Sequence, residues 1–302
     1  MIDMRESMTA KICSFVRAFH SNLSKQKIFD DYLAYDMMGK EEYEEIGQLI
    51  QNELGINRSD PDTGFCGKDL SPLIDQYVAP IPLSRIAYAE RKLESFAKLH
   101  GACQYVICGA GMDTFAFRND NPDICIFELD HPDTQRYKLE RIERLEWSIP
   151  ENVRYVSIDF SQEDLEETLR EAGFNPDIPS FFAILGVTYY LTLPVFEQTI
   201  TKIADLSGEG NRIVFDYPDE TTFYEDAAER VRLLAQITAR LGEPMEQGLL
   251  YEDIKTVLER NSFSVEEHLA PERIQTVFFQ DRKDGLRAFE NIHLILAEKE
   301  GK

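Results

Sequence analysis

A short apolar run that enters a glycine turn constrains the fold of this chain more than any other feature. The run covers residues 105–108 and leads directly into a turn that contains Gly109 and Gly111. This pattern predicts a buried strand followed by a tight turn, where glycine lets the backbone approach a ligand that a Cβ atom would repel. A second apolar run ends at Asp130, 21 residues after Gly109. A glycine turn followed by an acid about 20 residues later predicts a nucleotide site in an α/β sheet, with the acid on the ribose hydroxyls.

The glycine turn does not match the motifs of phosphate-binding sites. The dinucleotide motif G-x-G-x-x-G needs a third glycine over the pyrophosphate, and Thr114 occupies that position here. The P-loop pattern G-x-x-x-x-G-K-[ST] does not occur in the sequence. Asp113 adds a negative charge to the turn, which suits a cationic ligand better than a phosphate. S-adenosylmethionine fits such a site, since it has a ribose, an adenine, a positive sulfonium and no phosphate, but the spacing alone indicates only a nucleotide-like ligand.

Composition disfavours several classes of partner. The 302 residues include 32 basic and 55 acidic side chains, which gives a net charge of −23. Such an acidic surface repels phosphate backbones and anionic membranes, so neither nucleic acid nor a membrane is an expected partner. The five cysteines lack Cys-x-x-Cys spacing and the N-terminus lacks a signal-peptide pattern, so we expect a cytoplasmic protein. The five histidines show no ligand spacing, so no metal site is expected.

The order of the patterns predicts two regions. Residues 1–100 carry helical patterns and form a predicted N-terminal helical cap, in which Ser84 caps a helix that runs to His100. In residues 101–302, strand and helix patterns alternate, which predicts a parallel sheet covered by helices. The predicted strands are 104–108, 124–130, 153–158, 181–187 and 211–217, and the predicted helices between and after them are 132–147, 161–172, 194–206 and 251–260.

The last part of the chain predicts an antiparallel pair of strands. Residues 274–280 and 289–297 are strand-like and are joined by a short loop that contains Gly285. With the five alternating strands they give seven. The polar, helical stretch at about 219–248 predicts a helical insertion in this region. Residues 57–67 predict a loop, and Pro80 and Pro82 predict a break between helices.

Four sequence motifs resemble those of the leucine carboxyl methyltransferase family, and most closely those of its bacterial tetracenomycin-type branch of polyketide O-methyltransferases. The motifs are VICGAGMDTFAFR at 106–118, FELDHP at 127–132, YVSIDF at 155–160 and LGVTYYL at 185–191. The resemblance covers most of the chain. It implies a class I S-adenosylmethionine-dependent methyltransferase, with a Rossmann-like, seven-stranded, mostly parallel sheet, a terminal antiparallel hairpin and the helical cap.

The resemblance also implies positions for the methyl donor. Gly109 would lie under its methionine part, Asp130 would bind the ribose, and Asp159 would bind the adenine amino group beside the Phe160 backbone. Glu128 alternates with Asp130, so either could face the ribose, and Asp130 is favoured because it ends the strand. A second interpretation of Asp159 is a cap of the helix that follows.

The resemblance implies a set of side chains near the amino-acid end of the donor. Arg85 matches an arginine near the donor carboxylate, and Arg17 falls near a second basic position. The alternative interpretation of Arg85 is a solvated surface charge. Leu185 stands where many family members carry a glutamate that holds the donor amino group. Asp113 or a carbonyl must then take that role, and the change argues against the protein-carboxylate activity of the eukaryotic branch.

The leading hypothesis is an O-methyltransferase that acts on a small molecule, with an aromatic or polyketide-like hydroxyl as the expected acceptor. Tyr189, after the fourth strand, is the candidate active-site residue, and packing alone is its alternative interpretation. Three other functions stay open: a carboxyl methyltransferase that forms a methyl ester, a non-catalytic protein that binds S-adenosylmethionine, and a nucleotide-dependent oxidoreductase, which Thr114 disfavours. The sequence does not define the oligomeric state.

Overall fold

In the described segments of the chain, several helices precede the first strand. The computed structural model describes residues 7–54, 70–160 and 162–301. The helices before the first strand are Met8–Leu23 (α1), Ala34–Met38 (α2), Lys40–Glu53 (α3), Ser71–Tyr77 (α4) and Pro80–His100 (α5). The later helices are Phe115–Arg118 (α6), Pro132–Arg144 (α7), Leu165–Glu171 (α8), Leu193–Leu206 (α9), Glu229–Arg240 (α10), Tyr251–Arg260 (α11) and Pro271–Ile274 (α12).

The strands form one mixed sheet of seven. They are Cys103–Cys108 (β1), Ile124–Asp130 (β2), Val153–Ser157 (β3), Ser180–Ile184 (β4), Arg212–Pro218 (β5), Phe263–Leu269 (β6) and Ile292–Lys299 (β7). Their order is β3-β2-β1-β4-β5-β7-β6. The pairs from β3 to β5 are parallel, whereas β7 runs antiparallel to both β5 and β6. This arrangement confirms the predicted fold class.

Both faces of the sheet are covered, which explains why its central strands are almost wholly apolar. Successive side chains of a strand point to opposite faces. In β1, Tyr105 and Ile107 therefore pack into a core shared with α1, α3 and α5. Val106 and Cys108 pack into a second core on the other face, which is shared with α8, α9 and α11.

The sheet changes direction between β1 and β4. The chain proceeds outward from β1 to β2 and β3, and then returns to place β4 on the opposite side of β1. In open α/β sheets, ligands bind outside the carboxyl ends of the strands at such a switch point. The segments that leave β1 and β4 at this edge are the glycine turn and residues 185–187.

The prediction that residues 274–280 form one strand of the terminal antiparallel pair is wrong. Residues 274–280 are helical in the structure: Pro271–Ile274 is α-helical and Gln275–Phe279 forms one π-helical turn. The partner of β7 is β6 instead. Short apolar runs do not distinguish strand from buried helix by periodicity, and here Phe278 and Phe279 are buried in the core as helical residues.

The predicted start of α5 is also wrong. The helix begins at Pro80 rather than at Ser84, so neither Pro80 nor Pro82 breaks it. Proline is tolerated in a first helical turn because the N–H groups there have no intrahelical acceptor. Ser84 lies inside the helix, where its hydroxyl donates to the Pro80 carbonyl at 2.7 Å.

Other predicted bounds shift by a few residues. Helix α8 begins at Leu165, after the N-cap Asp164, and β4 ends at Ile184. The predicted loop at 57–67 lies outside the described residues. The stretch 219–248 contains the 3₁₀ turn Glu220–Phe223 and α10, and the division into a cap and a core stays a prediction. Across the described ranges, no helix is both long and apolar enough to cross a membrane.

Candidate active site

The glycine turn after β1 is tight and leaves space above it. Gly109 and Gly111 have φ angles of +79° and +53°, a region that side-chain-bearing residues rarely adopt. The Gly109 and Ala110 amides donate to the Leu129 carbonyl at 2.9 and 3.0 Å, which fixes the turn against β2. A Cβ atom on Gly109 would lie 2.8 Å from Cγ2 of Val187. The turn therefore requires glycine both for its conformation and for the space between the ends of β1 and β4.

A cavity of about 340 Å³ opens above this edge of the sheet. One side of it, which we call the polar half, is lined by residues from the strand ends and from two helices: Arg17, Arg85, Gly109, Gly111, Asp113, Asp130, Leu185, Gly186 and Tyr189. The other side, which we call the apolar half, is lined mainly by the helices above the sheet, through Leu49, Ile50, Leu54, Val78, Ile81, Leu234, Ile237, Leu241 and Met245. The cavity therefore presents two chemically different surfaces.

Asp130 lies in the polar half, at the carboxyl end of β2. Its two carboxylate oxygens accept hydrogen bonds from the Gly111 and His131 amides, at 2.5 and 2.7 Å. Burial raises the pKa of this carboxyl above its usual value, and the two amide bonds oppose that shift. A carboxylate has about four lone-pair sites, so Asp130 can still accept from two adjacent hydroxyls.

Glu128, the alternative to Asp130, points away from the cavity. Its side chain is buried against the Lys138 ammonium of α7 and is not among the cavity-lining residues. Burial raises the pKa of the Glu128 carboxyl, and the charge of Lys138 opposes the shift. Of the two carboxylates that the sequence left open, only Asp130 faces the cavity.

Asp159 and Phe160 follow β3 but do not line the cavity. Asp159 is half-buried, and the Phe160 side chain is 41% exposed. The Ile158 amide donates to the Asp130 carbonyl at 2.9 Å, so Asp159 leaves the sheet beside Asp130. Asp159 does not cap α8, because Asp164 holds that position. Asp159 and Phe160 thus lie near the polar half, but they do not line the cavity.

Arg17 reaches the polar half from α1 and is held by a buried acid. Its Nε atom lies 3.5 Å from Oδ2 of Asp31, which is fully buried. Its Nη2 atom donates to the Met112 carbonyl in the glycine turn at 2.6 Å. Asp31 also accepts from the Thr114 hydroxyl at 2.5 Å. The residue that breaks the dinucleotide motif therefore anchors the turn to the preceding helices.

Arg85 reaches the same half from α5 and has its own buried partner, Asp216. Its Nη1 atom donates to Oδ2 of Asp216 at 3.2 Å, and Nη2 donates to the Cys13 sulfur at 3.3 Å. Although burial lowers the pKa of the guanidinium, the Asp216 charge outweighs it and raises the pKa above its usual range. Arg85 is therefore a cavity residue and not the solvated surface charge of the alternative interpretation.

Asp216 is the residue that the sequence analysis missed. It lies on β5, is fully buried, and accepts from the Gly186 amide at 2.7 Å and from the Tyr189 hydroxyl at 2.7 Å, besides Arg85. One carboxylate thus fixes three lining residues from behind the wall. Its signal in the sequence is an acid inside the apolar strand run 211–217, because a buried carboxylate is seldom found without partners.

The remaining candidates also lie on the wall of the cavity. Asp113 accepts from the Phe115 amide at 2.6 Å, so one of its oxygens is committed to the start of α6. Leu185 lies directly after β4 and lines the polar half without a polar side-chain atom. Tyr189 lies in the 3₁₀ turn Thr188–Tyr190 that follows. The structure thus brings the following predicted site residues together at one edge of the sheet, but not Asp159 or Phe160: Arg17, Arg85, Gly109, Gly111, Asp113, Asp130, Leu185 and Tyr189.

The polar half fits S-adenosylmethionine. Gly109 and Gly111 line the cavity with bare backbone, so a ligand can approach the turn closely. Asp130 offers carboxylate lone pairs for the ribose hydroxyls. Arg85 lines the cavity and carries a guanidinium, the group that pairs best with a carboxylate such as that of the donor.

Comparison with known proteins agrees with this geometry. The model of the family described as leucine carboxyl methyltransferase matches residues 10–204. A Bacillus subtilis protein named as an S-adenosyl-L-methionine-dependent methyltransferase, YktD, is 36% identical over 304 aligned positions, which cover 97% of this chain and 98% of that protein. S-adenosylmethionine is accordingly the cofactor of this protein, as the resemblance of its motifs implies.

Solved structures confirm the fold. A DUF574 family protein from Streptomyces avermitilis superposes with a TM-score of 0.57 at 12% identity, covering 99% of this chain and 100% of that chain. A methyltransferase-like protein from Thermobifida fusca gives a TM-score of 0.55 at 12% identity, covering 99% and 97%. At such low identity these similarities concern the fold alone.

Proposed function

Because this chain belongs to the leucine carboxyl methyltransferase family and is an S-adenosylmethionine-dependent methyltransferase, we propose that it methylates a hydroxyl oxygen of a small, apolar molecule. The proposed acceptor is an aromatic or polyketide-like hydroxyl, as in the tetracenomycin-type branch. The partner is a small molecule because the cavity lies under helices α1, α3, α5 and α10, where an extended surface cannot reach the strand ends.

The charge state of the cavity carries the proposal. Among the described lining residues the basic side chains are Arg17 and Arg85, and buried Asp31 and Asp216 already balance them. An acceptor carboxylate would find no uncommitted basic side chain on the described part of the wall, and burying an unpaired charge is costly. A neutral hydroxyl on an apolar body carries no such cost, and its body matches the apolar half.

We assign roles to the lining residues on the same basis. Asp130 holds the ribose, and Gly109 and Gly111 give the donor room. Arg17 and Arg85 face its carboxylate, while Asp113 and the backbone at Leu185 face its amino group. Asp159 and Phe160 hold the adenine from the edge of the cavity, and Tyr189 stands at the acceptor.

The reaction asks the protein chiefly to align groups and to exclude water. S-adenosylmethionine, when bound, supplies a methyl group that its sulfonium already activates. The chain contributes rigid walls, since the glycine turn and the Asp216 network each fix several residues. The apolar half excludes water and orients the acceptor, which accounts for much of the rate in reactions between two bound partners.

We propose that the cap formed by residues 1–100 and the insertion at about 219–248 select the acceptor, since α3 and α10 supply much of the apolar half. The described cysteines, Cys13, Cys103, Cys108 and Cys125, carry free thiols, as a reducing compartment allows, and we propose a cytoplasmic location.

Product chemistry tests the proposed function. The purified protein is incubated with methyl-labelled S-adenosylmethionine and either 2-naphthol or 2-naphthoate, and the labelled product is then treated with mild base. We expect label in an ether that survives base, and loss of turnover in Asp130→Ala. A product formed only from the carboxylate and released by base would overturn hydroxyl methylation.

Carboxyl methylation is the second candidate, and the family match favours it. A carboxylate nucleophile needs no base, so such an enzyme requires only alignment. The base-labile product described above is the result that this candidate predicts.

A further inference from the structure

We propose that the Tyr189 oxygen accepts a hydrogen bond from the acceptor molecule, and that it thereby selects a neutral hydroxyl over an ionised carboxylate. The inference rests on the proposed function and deepens it, because it assigns the choice of acceptor group to one side chain. The evidence is the direction of the hydrogen bonds around Asp216.

The single proton of the Tyr189 hydroxyl is committed to Asp216. The hydroxyl lies 2.7 Å from Oδ2 of Asp216 and donates to it, since an ionised carboxylate can only accept. The same carboxylate accepts from the Gly186 amide and from Arg85, at 2.7 and 3.2 Å. Three donors converge on a fully buried acid, so the phenol proton has a fixed direction, away from the cavity.

The phenol stays protonated at neutral pH. Burial and the neighbouring Asp216 charge raise the pKa of Tyr189 well above its usual value. Tyr189 lines the cavity and has only oxygen lone pairs left to offer there. It can therefore receive a hydrogen bond but cannot give one.

This one-way character distinguishes the two acceptor groups. A neutral hydroxyl can donate a hydrogen bond to the Tyr189 oxygen, which fixes the position of the acceptor oxygen in the cavity. A carboxylate brings only lone pairs and a negative charge, so it cannot donate to the Tyr189 oxygen and would bury its charge against an acceptor atom. Arg85 does not reverse this preference, since its charge is paired with Asp216.

Binding to the cofactor-product complex tests the inference without turnover. The protein saturated with S-adenosylhomocysteine is titrated calorimetrically at pH 7 with 2-naphthol and, separately, with 2-naphthoate. We expect 2-naphthol to bind at least about tenfold more tightly, the difference between a made hydrogen bond and an unpaired buried charge. In Tyr189→Phe, which keeps the Asp216–Arg85 pair, we expect that preference to fall below about threefold.

Tyr217→Phe is the matched control. It removes a phenol hydroxyl from the residue next to Asp216, but Tyr217 packs in the core on the other face of the sheet, where its hydroxyl meets His268. The preference for 2-naphthol should stay unchanged in this variant.

The possible outcomes distinguish failure of the role of Tyr189 from failure of the proposed hydroxyl methylation. An unchanged preference in Tyr189→Phe overturns the role of Tyr189 and leaves the acceptor class intact. Binding of 2-naphthoate to the unmodified protein as tightly as 2-naphthol overturns the role of Tyr189 and also the preference for a neutral hydroxyl. Binding of neither compound overturns both, because the apolar half then does not receive an aromatic acceptor.

Discussion

The polar and apolar halves of the cavity are built in different ways. The polar half comes largely from the carboxyl ends of adjacent strands, with backbone amides and side chains that buried partners hold in place. The apolar half comes from α3, α5 and α10 and from the residues that follow α3, α4 and α10, and its members extend from Leu49 to Met245 along the chain. One half is thus a set of fixed polar groups on a sheet edge, and the other is a set of packed helices.

The difference between the two halves reflects the free energy needed to bury charged side chains compared with apolar ones. A buried charge without a partner is strongly destabilising, so every charged residue of the polar half needs a specific neighbour. Apolar side chains need only comparable volume and packing, and volume-conserving exchanges among them cost little. The apolar half can therefore change its shape for a new acceptor while the polar half keeps the same donor.

The strongest test of this contrast is Gly109→Val. A side chain here would meet Val187 and occupy the approach space of the donor, so we expect binding of S-adenosylhomocysteine to be lost in calorimetry. Gly101→Val is the matched control, because Gly101 has a similar φ angle of +72° but nothing within 4 Å of an added Cβ. Retained binding in Gly109→Val would contradict the argument from the glycine turn.

Asp216→Ala should have the largest effect on stability. It leaves the buried Arg85 without its counter-charge and removes an acceptor from Gly186 and Tyr189. Breaking a buried ion pair in this way typically costs about 3–5 kcal/mol, measurable as a fall in the free energy of unfolding in urea. Asp205→Ala, at an exposed position of α9, should change that free energy by less than about 0.5 kcal/mol. A loss as small in Asp216→Ala as in the control would show that Asp216 does not link the wall residues.

Asp130→Ala should weaken the binding of the methyl donor and of its product without unfolding the protein. A hydrogen bond to a charged group contributes about 1.5–3 kcal/mol, so the Kd for S-adenosylhomocysteine should rise by at least about tenfold. Asp133→Ala is the control, since Asp133 pairs with Arg136 outside the cavity. Unchanged affinity in folded Asp130→Ala would remove this residue from the donor site.

Glu243→Ala should have the smallest effect on stability, and that effect should be confined to the helices over the sheet. The Glu243 carboxylate accepts from the Met8 and Thr9 amides, at 2.6 and 3.2 Å, and so caps the start of α1. Loss of such a cap costs about 1 kcal/mol, and hydrogen exchange should rise in α1 while β1 stays protected. Glu246→Ala, at an exposed position nearby, should leave exchange in α1 unchanged. Faster exchange in β1 would mean that the two halves do not open independently.

The sequence predicted those parts of the site whose position depends only on residues close together along the chain. The glycine turn and Asp130 follow from one strand–turn–helix pattern, because a strand end and the segment after it have a fixed relation in a parallel sheet. The error at 274–280 arose in a short apolar run, where strand and buried helix look alike. The error at Pro80 arose because a proline at a helix start resembles a break.

Asp216 could not be assigned from the sequence, because its meaning depends on three partners that are distant along the chain. Tyr189 lies in the turn after β4 and reaches Asp216 because β4 pairs with β5. Arg85 reaches the same carboxylate because α5 packs against β5. The same holds for Arg17 and Asp31, whose ion pair forms where α1 packs against the glycine turn.

The amino-acid sequence by itself determined the fold class and the strand–glycine turn–acid arrangement of a nucleotide-like site, since periodicity and local backbone conformation act over short distances along the chain. The methyl donor followed from the four family motifs in the same sequence. Only the tertiary structure decided which carboxylate faces the cavity, which acids balance its arginines and how the helices enclose an apolar space. Those features depend on burial and on contacts between distant segments, and a buried charge acquires its partner only when the chain has folded.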